Sequence, residues 1–278
     1  MKTKNKQNLL QQRILIVATL IVIGIFVAAL LFNILAKRDY SYRNVDPLEA
    51  IPVSFINTEN FYTADNFLYY DDDNYESIVG IDVSDYQGDI DWQQVKNDGV
   101  DFAFIRVGGR GYGSGIIYED ENFKVNLKEA KKAGLDVGVY FYSMAINPEE
   151  AIDEAYFVRK MLRGTKLDLP VVFDYEDVND EHRTQDLDRY ERTDIAIAFM
   201  TKMQDFGYNT MVYANPNWLR NYYDVYRLLN FDIWLAHYND EPSTNFKFDI
   251  WQYTSDGKVD GIDGRVDLNI MLVEKWLI

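Results

Sequence analysis

The chain has 278 residues, no cysteine and only two histidines, His182 and His237. This excludes disulfides, thiolate metal sites and a multi-histidine zinc site, while leaving carboxylate sites open. The formal net charge is −17; from position 39 onward all 45 acids but only 22 of the 28 bases remain, a charge of −23, which excludes nucleic acid as a partner because its binding is driven by cationic side chains. Hydrophobic residues at 47% and aromatics at 15% suffice for a packed core in one or two domains.

Residues 1–13 carry Lys2, Lys4, Lys6 and Arg13 and read as a cytoplasmic tail. Residues 14–36, ILIVATLIVIGIFVAALLFNILA, contain no charge and are long enough to cross a bilayer as a helix. The preceding basic residues favour a cytoplasmic N-terminus, although Lys37 and Arg38 follow the segment. A cleaved signal peptide is the alternative; its apolar core is usually about 7–15 residues and ends at an A-x-A-like site, which is not clear here. The expectation is a single-pass anchor in a bacterial cell membrane, with the rest of the chain outside. Residues 37–77 are polar and tyrosine-rich and read as a stalk or linker. On the order of 39 flexible residues would span roughly 35 Å as a coil, which points to partners near the membrane.

From residue 78 to 278 the texture changes. Eight β-rich runs follow one another: 79–84, 102–108, 135–143, 170–177, 209–215, 231–238, 248–254 and 265–271. Helical patterns fill the early gaps. ENFKVNLKEAKKAG ends in Gly134, suited to a left-handed cap, and NPEEAIDEAYFVRKML opens with Asn147 as N-cap and Pro148 at the first helical position. RYERTDIAIAFMTKMQDFG repeats the pattern and stops at Gly207. Strand–helix alternation implies parallel strands with crossover helices, and eight strands suggest a barrel. The last gaps have no room for full helices, and SDGKVDGIDG is turn chemistry. The pattern predicts an α/β barrel with about five βα units followed by three strands on short loops.

In such barrels, functional residues sit at the C-terminal ends of the strands. Asp82, Asp174, Glu176 and Asp267 fit that position on three strands, and Asp174 and Glu176, two apart, share one face. Exposed strand-end acids or helix caps are the plain alternative, but mutual repulsion among four carboxylates calls for a reason. Two close carboxylates do not both ionise cheaply, and an acid paired with a carboxylate is what glycosidic bond cleavage requires. Arg106, in an apolar strand, is either a compensating charge in the barrel or an ordinary structural ion pair. Tyr140, Tyr142, Tyr213, Trp234, Trp251 and Tyr253 cluster near strand tips, where their faces suit sugar rings or simply fill the core. Gln252 and Asn269 could supply orienting hydrogen bonds. GGRGYGSG lacks the spacing of a nucleotide-binding loop and reads as a flexible loop near the cleft. No Ser-His-Asp arrangement has a plausible base.

The segments GIDVSDYQGDIDWQQVK, FAFIRVG, AKKAGLDVGVYFYS, LPVVFDYED, MVYANPNWL, IWLAHY and FDIWQYTSDGKVDGIDGRVDLNI, in this order over residues 78–278, resemble glycoside hydrolase family 25, the lysozyme-like N-acetylmuramidases. The resemblance implies a modified TIM-type (β/α)5β3 barrel and hydrolysis of the β-1,4 bond between N-acetylmuramic acid and N-acetylglucosamine in peptidoglycan glycan strands, with no cofactor. It implies Glu176 as general acid and Asp174 as the carboxylate assisting the 2-acetamido group or the developing positive charge, while Asp82 and Asp267 match the other two active-site acids. Tyr140, Tyr142, Tyr213, Trp234, Gln252 and Arg106 are the substrate-binding candidates. His237 stands where many relatives have another polar residue. Two other functions compete: a metal-dependent phosphoester hydrolase using the four acids, and a non-catalytic wall-binding barrel. The sequence gives no indication of oligomeric state.

Overall fold

The computed structural model describes residues 56–176, 182–242 and 247–277. The expected membrane anchor over 14–36 and the first part of the linker lie outside the described residues. Among the described residues no helix is long and apolar enough to cross a membrane.

The chain first forms a hairpin, β1 (Phe61–Ala64) and β2 (Phe67–Tyr70), and then enters β3 (Tyr75–Val83). A short helix α1 (Trp92–Asn97) leads to β4 (Phe102–Arg110) and β5 (Ile117–Glu119), then α2 (Phe123–Ala133), β6 (Asp136–Tyr142), α3 (Pro148–Leu162) and β7 (Val171–Asp174). The last part contains α4 (Arg189–Asp205), β8 (Thr210–Ala214), β9 (Asp232–Ala236), β10 (Ile250–Gly257) and β11 (Val266–Glu274). All eight expected strands are present. The helix ends follow their cap chemistry: Gly134 is left-handed at φ 85°, Asn147 accepts the Glu150 N–H at 2.9 Å, and Asp188 and Glu191 form a capping box. After β8 only a π-helical turn (Trp218–Tyr222) and a 3-10 turn (Val225–Leu228) occupy the place of a fifth long helix.

The strands run in the order β3-β11-β10-β9-β8-β7-β6-β4, and β3 pairs with β4, which closes an eight-stranded barrel. The barrel strands β3, β4 and β6 to β10 pair in parallel, while β5 pairs antiparallel with β4. β11 runs antiparallel to both β10 and β3, because residues 258–265 are too few for a parallel crossover. Inward positions alternate with period two. Phe102, Phe104, Val172, Met211, Tyr213, Trp234, Ala236 and Ile250 fill the interior. The Phe102 and Phe104 rings lie over Gly80 and Gly138, where an added Cβ would stand 2.1 and 2.3 Å from a ring carbon. Glycine is needed there for close approach, which lets two whole phenyl groups plug the barrel.

The linker expected over 37–77 is folded from Ile56 onward, and the reason lies in the missing helices. An apolar outer sheet face must be covered. Where no helix follows the last strands, the β1–β2 hairpin covers β10: Phe61 meets Trp251 edge-on with centroids 5.4 Å apart, and the Tyr253 hydroxyl accepts the Leu68 N–H at 3.2 Å. Phe67 and Tyr70 are buried beneath it. Trp251 and Tyr253 therefore face outward, a correction to their expected place at the strand tips of the cleft.

Phe67→Ala is expected to cost about 3–5 kcal/mol, seen as a lower urea midpoint of the full chain. An unchanged midpoint would return residues 56–77 to the status of a solvated stalk.

Candidate active site

One end of the barrel gathers the four acids named from sequence: Asp82, Asp174 and Glu176 at or just past the C-terminal ends of β3 and β7, and Asp267 at the start of antiparallel β11. Asp82 ends β3 and stands opposite Asp267 of β11 in register. Asp174 ends β7, with Tyr142 of β6 and Tyr213 of β8 as its register neighbours. Asp82 is 8% and Asp174 7% exposed, whereas Glu176 and Asp267 are half-buried. Glu176 lines a cavity of about 530 Å³ together with Tyr213, Asn215, Arg220, His237 and Tyr238. Asp82 and Asp174 are thus the buried acids, and Glu176 is the one of the four that lines this cavity.

Asp82 is fixed by a chain of donors whose directions chemistry decides. The Trp234 indole N–H can only donate, and it donates to Asn269 Oδ1 at 2.8 Å. This turns Asn269 Nδ2 towards Asp82 Oδ2, which it reaches at 2.8 Å. On the other side the Tyr213 and Tyr238 hydroxyls donate to Gln252 Oε1 at 2.8 and 2.9 Å, and Gln252 Nε2 donates to the same Asp82 oxygen at 2.8 Å. With Oδ2 occupied by two donors, a proton on Asp82 belongs on Oδ1. Trp234 and Gln252, expected to touch a ligand, are each 2% exposed and instead hold Asp82 in place.

Burial first, and Asp267 second, raise the Asp82 pKa well above the carboxylate range, against the pull of the Asn269 and Gln252 bonds. Burial, then Glu176 and Asp82, raise Asp174 likewise, opposed by Arg106. Asp174 Oδ1 is buried without a hydrogen-bond donor. Asp267 is pushed up to about 6 by burial, against a hydrogen bond from its own backbone. The four carboxyls thus share one field, and full ionisation is disfavoured. Burial and the neighbouring carboxylates favour the protonated form of Asp174.

Tyr140 points into the mouth, its hydroxyl raised by burial and then by Asp82. Arg106 takes both roles offered for it. Its guanidinium pairs with Asp85 and donates from Nε to Asp120 Oδ2 at 2.8 Å, while its charge still lowers the pKa of Asp174. The glycine-rich segment expected as a flexible loop is a hairpin: Gly109 pairs with Tyr118 and Arg110 with Ile117. Arg110 braces it from inside, donating to fully buried Glu154 at 2.6 Å and to the carbonyls of Gly115 and Glu150. Glu154, pushed up to about 7 by burial, also accepts the Ser143 hydroxyl at 2.7 Å. The Ser143 N–H donates to the Asp174 carbonyl at 2.7 Å, so the hairpin is tied to the acid-bearing strand.

Sequence reading missed Asn215, Arg220 and Tyr238 on the cavity wall; Asn215 and Tyr238 each lie just past a strand end, the one signal that marks them. It also missed the Arg110–Glu154 pair, whose partners lie 44 positions apart. His237 lines the cavity, whereas His182 is engaged with Thr184 at 2.7 Å. Among the described residues no group of three or more His, Asp or Glu side chains is arranged to hold a metal ion.

The model of glycosyl hydrolases family 25 matches residues 81–262. The autolytic lysozyme of Clostridium acetobutylicum is 27% identical over 193 residues, which cover 69% of this chain and 55% of that protein. Lysozyme M1 of Streptomyces globisporus is 27% identical over 209 residues, 69% of this chain and 67% of its own. Among solved structures, a family 25 glycosyl hydrolase from Bacillus anthracis superposes with TM-score 0.60 at 27% identity, covering 75% of this chain and 94% of that one. The modular autolysin LytC from Streptococcus pneumoniae, in complex with a synthetic peptidoglycan ligand, gives 0.61 at 26%, covering 76% and 52%. The chain thus spans about half the length of some of the relatives it matches.

The raised Asp267 pKa has a consequence for stability. An unfolded Asp releases its proton at about 3.9, whereas the folded chain holds this one to about 6. The folded state is therefore penalised as pH rises through that window, and the penalty is complete above it. Asp267→Asn removes the penalty. Its urea midpoint relative to the parent is expected to improve between pH 4 and pH 7, and a pH-independent difference would contradict the shift.

Proposed function

Because this chain belongs to glycosyl hydrolases family 25, we propose that it is a peptidoglycan muramidase, hydrolysing the β-1,4 bond between N-acetylmuramic acid and N-acetylglucosamine. The observation that carries the reading is the pairing of a cavity-facing Glu176 with a buried Asp174, both beside Asp82. A general acid has to reach the leaving oxygen within hydrogen-bond distance, and Glu176 is the member of the pair that lines the opening.

In this reading Asp174 and Glu176 hold a proton between them as one titrating unit. A sugar entering the cavity takes its proton from Glu176. As the bond breaks the leaving oxygen carries that proton away, Glu176 is left ionised, and the positive charge developing on the ring offsets its repulsion with Asp174. Asp174 stabilises that charge or orients the 2-acetamido group that attacks the anomeric carbon; water then adds at that carbon and returns a proton to Glu176. Asp82, held on one oxygen by Asn269 and Gln252, keeps a fixed position from which it tunes that charge. Asp267 lies at the edge of the same field, and Tyr140, Tyr142 and Tyr213 line the approach. No step calls for a cofactor.

The proposal extends to location. The uncharged run over 14–36 would anchor the chain in a bacterial membrane with the barrel outside, so that glycan near the membrane is its substrate.

Incubation of the full chain with purified peptidoglycan is expected to expose new muramic acid reducing ends. Glucosamine ends would redirect the assignment, and no cleavage would leave the non-catalytic wall-binding reading. Glu176→Gln is expected to lose about 10²–10⁴-fold in kcat with an unchanged circular dichroism spectrum; Asp174→Asn is expected to be severely impaired as well. A Glu176→Gln variant with parental rate would remove Glu176 from the chemistry.

A further inference from the structure

Opposite the Glu176 cavity, the mouth is edged by a second feature that the proposed chemistry leaves unused. Tyr86 is 85% exposed on the turn after β3. A single exposed aromatic is ordinary; what sets this one apart is how firmly it is held. Ser84 and Gln87 close a capping box around it, with the Ser84 N–H on Gln87 Oε1 at 2.9 Å. The Asp85 N–H is fixed by buried Asp120 at 3.0 Å, and the Gly88 carbonyl by Asn122 at 3.1 Å. The Arg106 guanidinium lies 5.2 Å from the centroid of the Tyr86 ring, within cation–π range. The backbone is pinned, and the ring stands almost wholly in solvent with Arg106 beside it.

Its neighbours extend the surface. Tyr118 lies close enough to Tyr86 and Arg106 to feel their charges, and Tyr112 and Ile116 are exposed on the same hairpin. That hairpin is pinned through Arg110 and Glu154. The charge beneath is already matched, since Arg106 is paired with both Asp85 and Asp120. The rim therefore offers flat apolar faces and no unmatched cation, which suits a neutral ring better than an anion. Arg106 also reaches the field of Tyr140, which in turn feels Asp82 and Asp174, so the rim is continuous with the floor of acids.

We propose that Tyr86, backed by Arg106 and flanked by Tyr118 on the β4–β5 hairpin, is a stacking platform for a sugar ring of the same glycan strand, beyond the bond being cut. The inference rests on the muramidase reading and adds a preference for long strands. Pyranose rings expose a C–H face that packs on an aromatic face, and a rigid platform loses little entropy on binding.

The test compares the full-length parent, Tyr86→Ala and Tyr86→Trp on a peptidoglycan tetrasaccharide and on long glycan strands. For Tyr86→Ala, KM on long strands is expected to rise about tenfold. The loss falls on KM rather than kcat, the preference for long over short strands shrinks by the same factor, and Tyr86→Trp restores it. An unchanged length preference in Tyr86→Ala would overturn the platform. So would an equal KM rise on both substrates, which would mark a distortion of the shared site. If the parent cleaves neither substrate, the muramidase reading has failed, and binding of long strands to parent and variant decides the platform by itself: equal binding, or none, overturns it. Self-association that Tyr86→Ala abolishes, with glycan binding intact, would assign the surface to a second copy of the chain and overturn the proposal.

Discussion

Four carboxyl groups held in the mouth of one barrel are the constraint around which this structure is arranged. Burying charge that closely is unfavourable unless donors or protons compensate it. The barrel supplies both. Two amides fix one oxygen of Asp82; one is oriented by the Trp234 N–H, which can only donate, and the other accepts the Tyr213 and Tyr238 hydroxyls on its oxygen. What the donors leave uncompensated shows as raised pKa values at Asp82, Asp174 and Asp267. This is a site that gives up stability to keep protons available near neutral pH.

The same logic explains the rigidity of the surrounding loops. Loops at the mouth of a barrel are usually the mobile part of the fold. Here the hairpin after β4 is anchored by the buried Arg110–Glu154 pair, and the turn after β3 by Asp120. Ser143 carries that order to the backbone of Asp174. A reaction that depends on placing one acid against one oxygen benefits from such preorganisation. At the opposite end of the design, the outer face left bare by the missing helices is closed by a hairpin from the chain's N-terminal side.

Much of this was legible in the sequence because it is written in local patterns. Eight β-rich runs, the caps at Asn147 and Gly134, and the i, i+2 spacing of Asp174 and Glu176 each depend on neighbours a few residues away. The errors arose where the deciding partner is distant. Residues 56–77 carry no amphipathic period, and only the distant face of β10 gives Phe61 and Leu68 their partners Trp251 and Tyr253. The glycines of 108–115 suggested flexibility, but Arg110, at the end of β4, finds its partner Glu154 on α3. Grouping Trp251 with Gln252 overlooked strand alternation itself: adjacent residues cannot both face the mouth. The exchange of roles by Trp234 and Gln252, from ligand contacts to supports of Asp82, was visible only once β9, β10, β11 and β3 were side by side.

The account stands or falls on whether these carboxyls retain protons where isolated ones would not. Following the side-chain carboxyl carbons of Asp82, Asp174 and Asp267 by NMR through a pH titration of the full chain measures this directly. The account expects Asp267 to titrate near 6 and Asp82 and Asp174 to keep a protonated population well above the ordinary carboxylate range, with mutually dependent curves. Three independent titrations near the ordinary value of about 4 would contradict it.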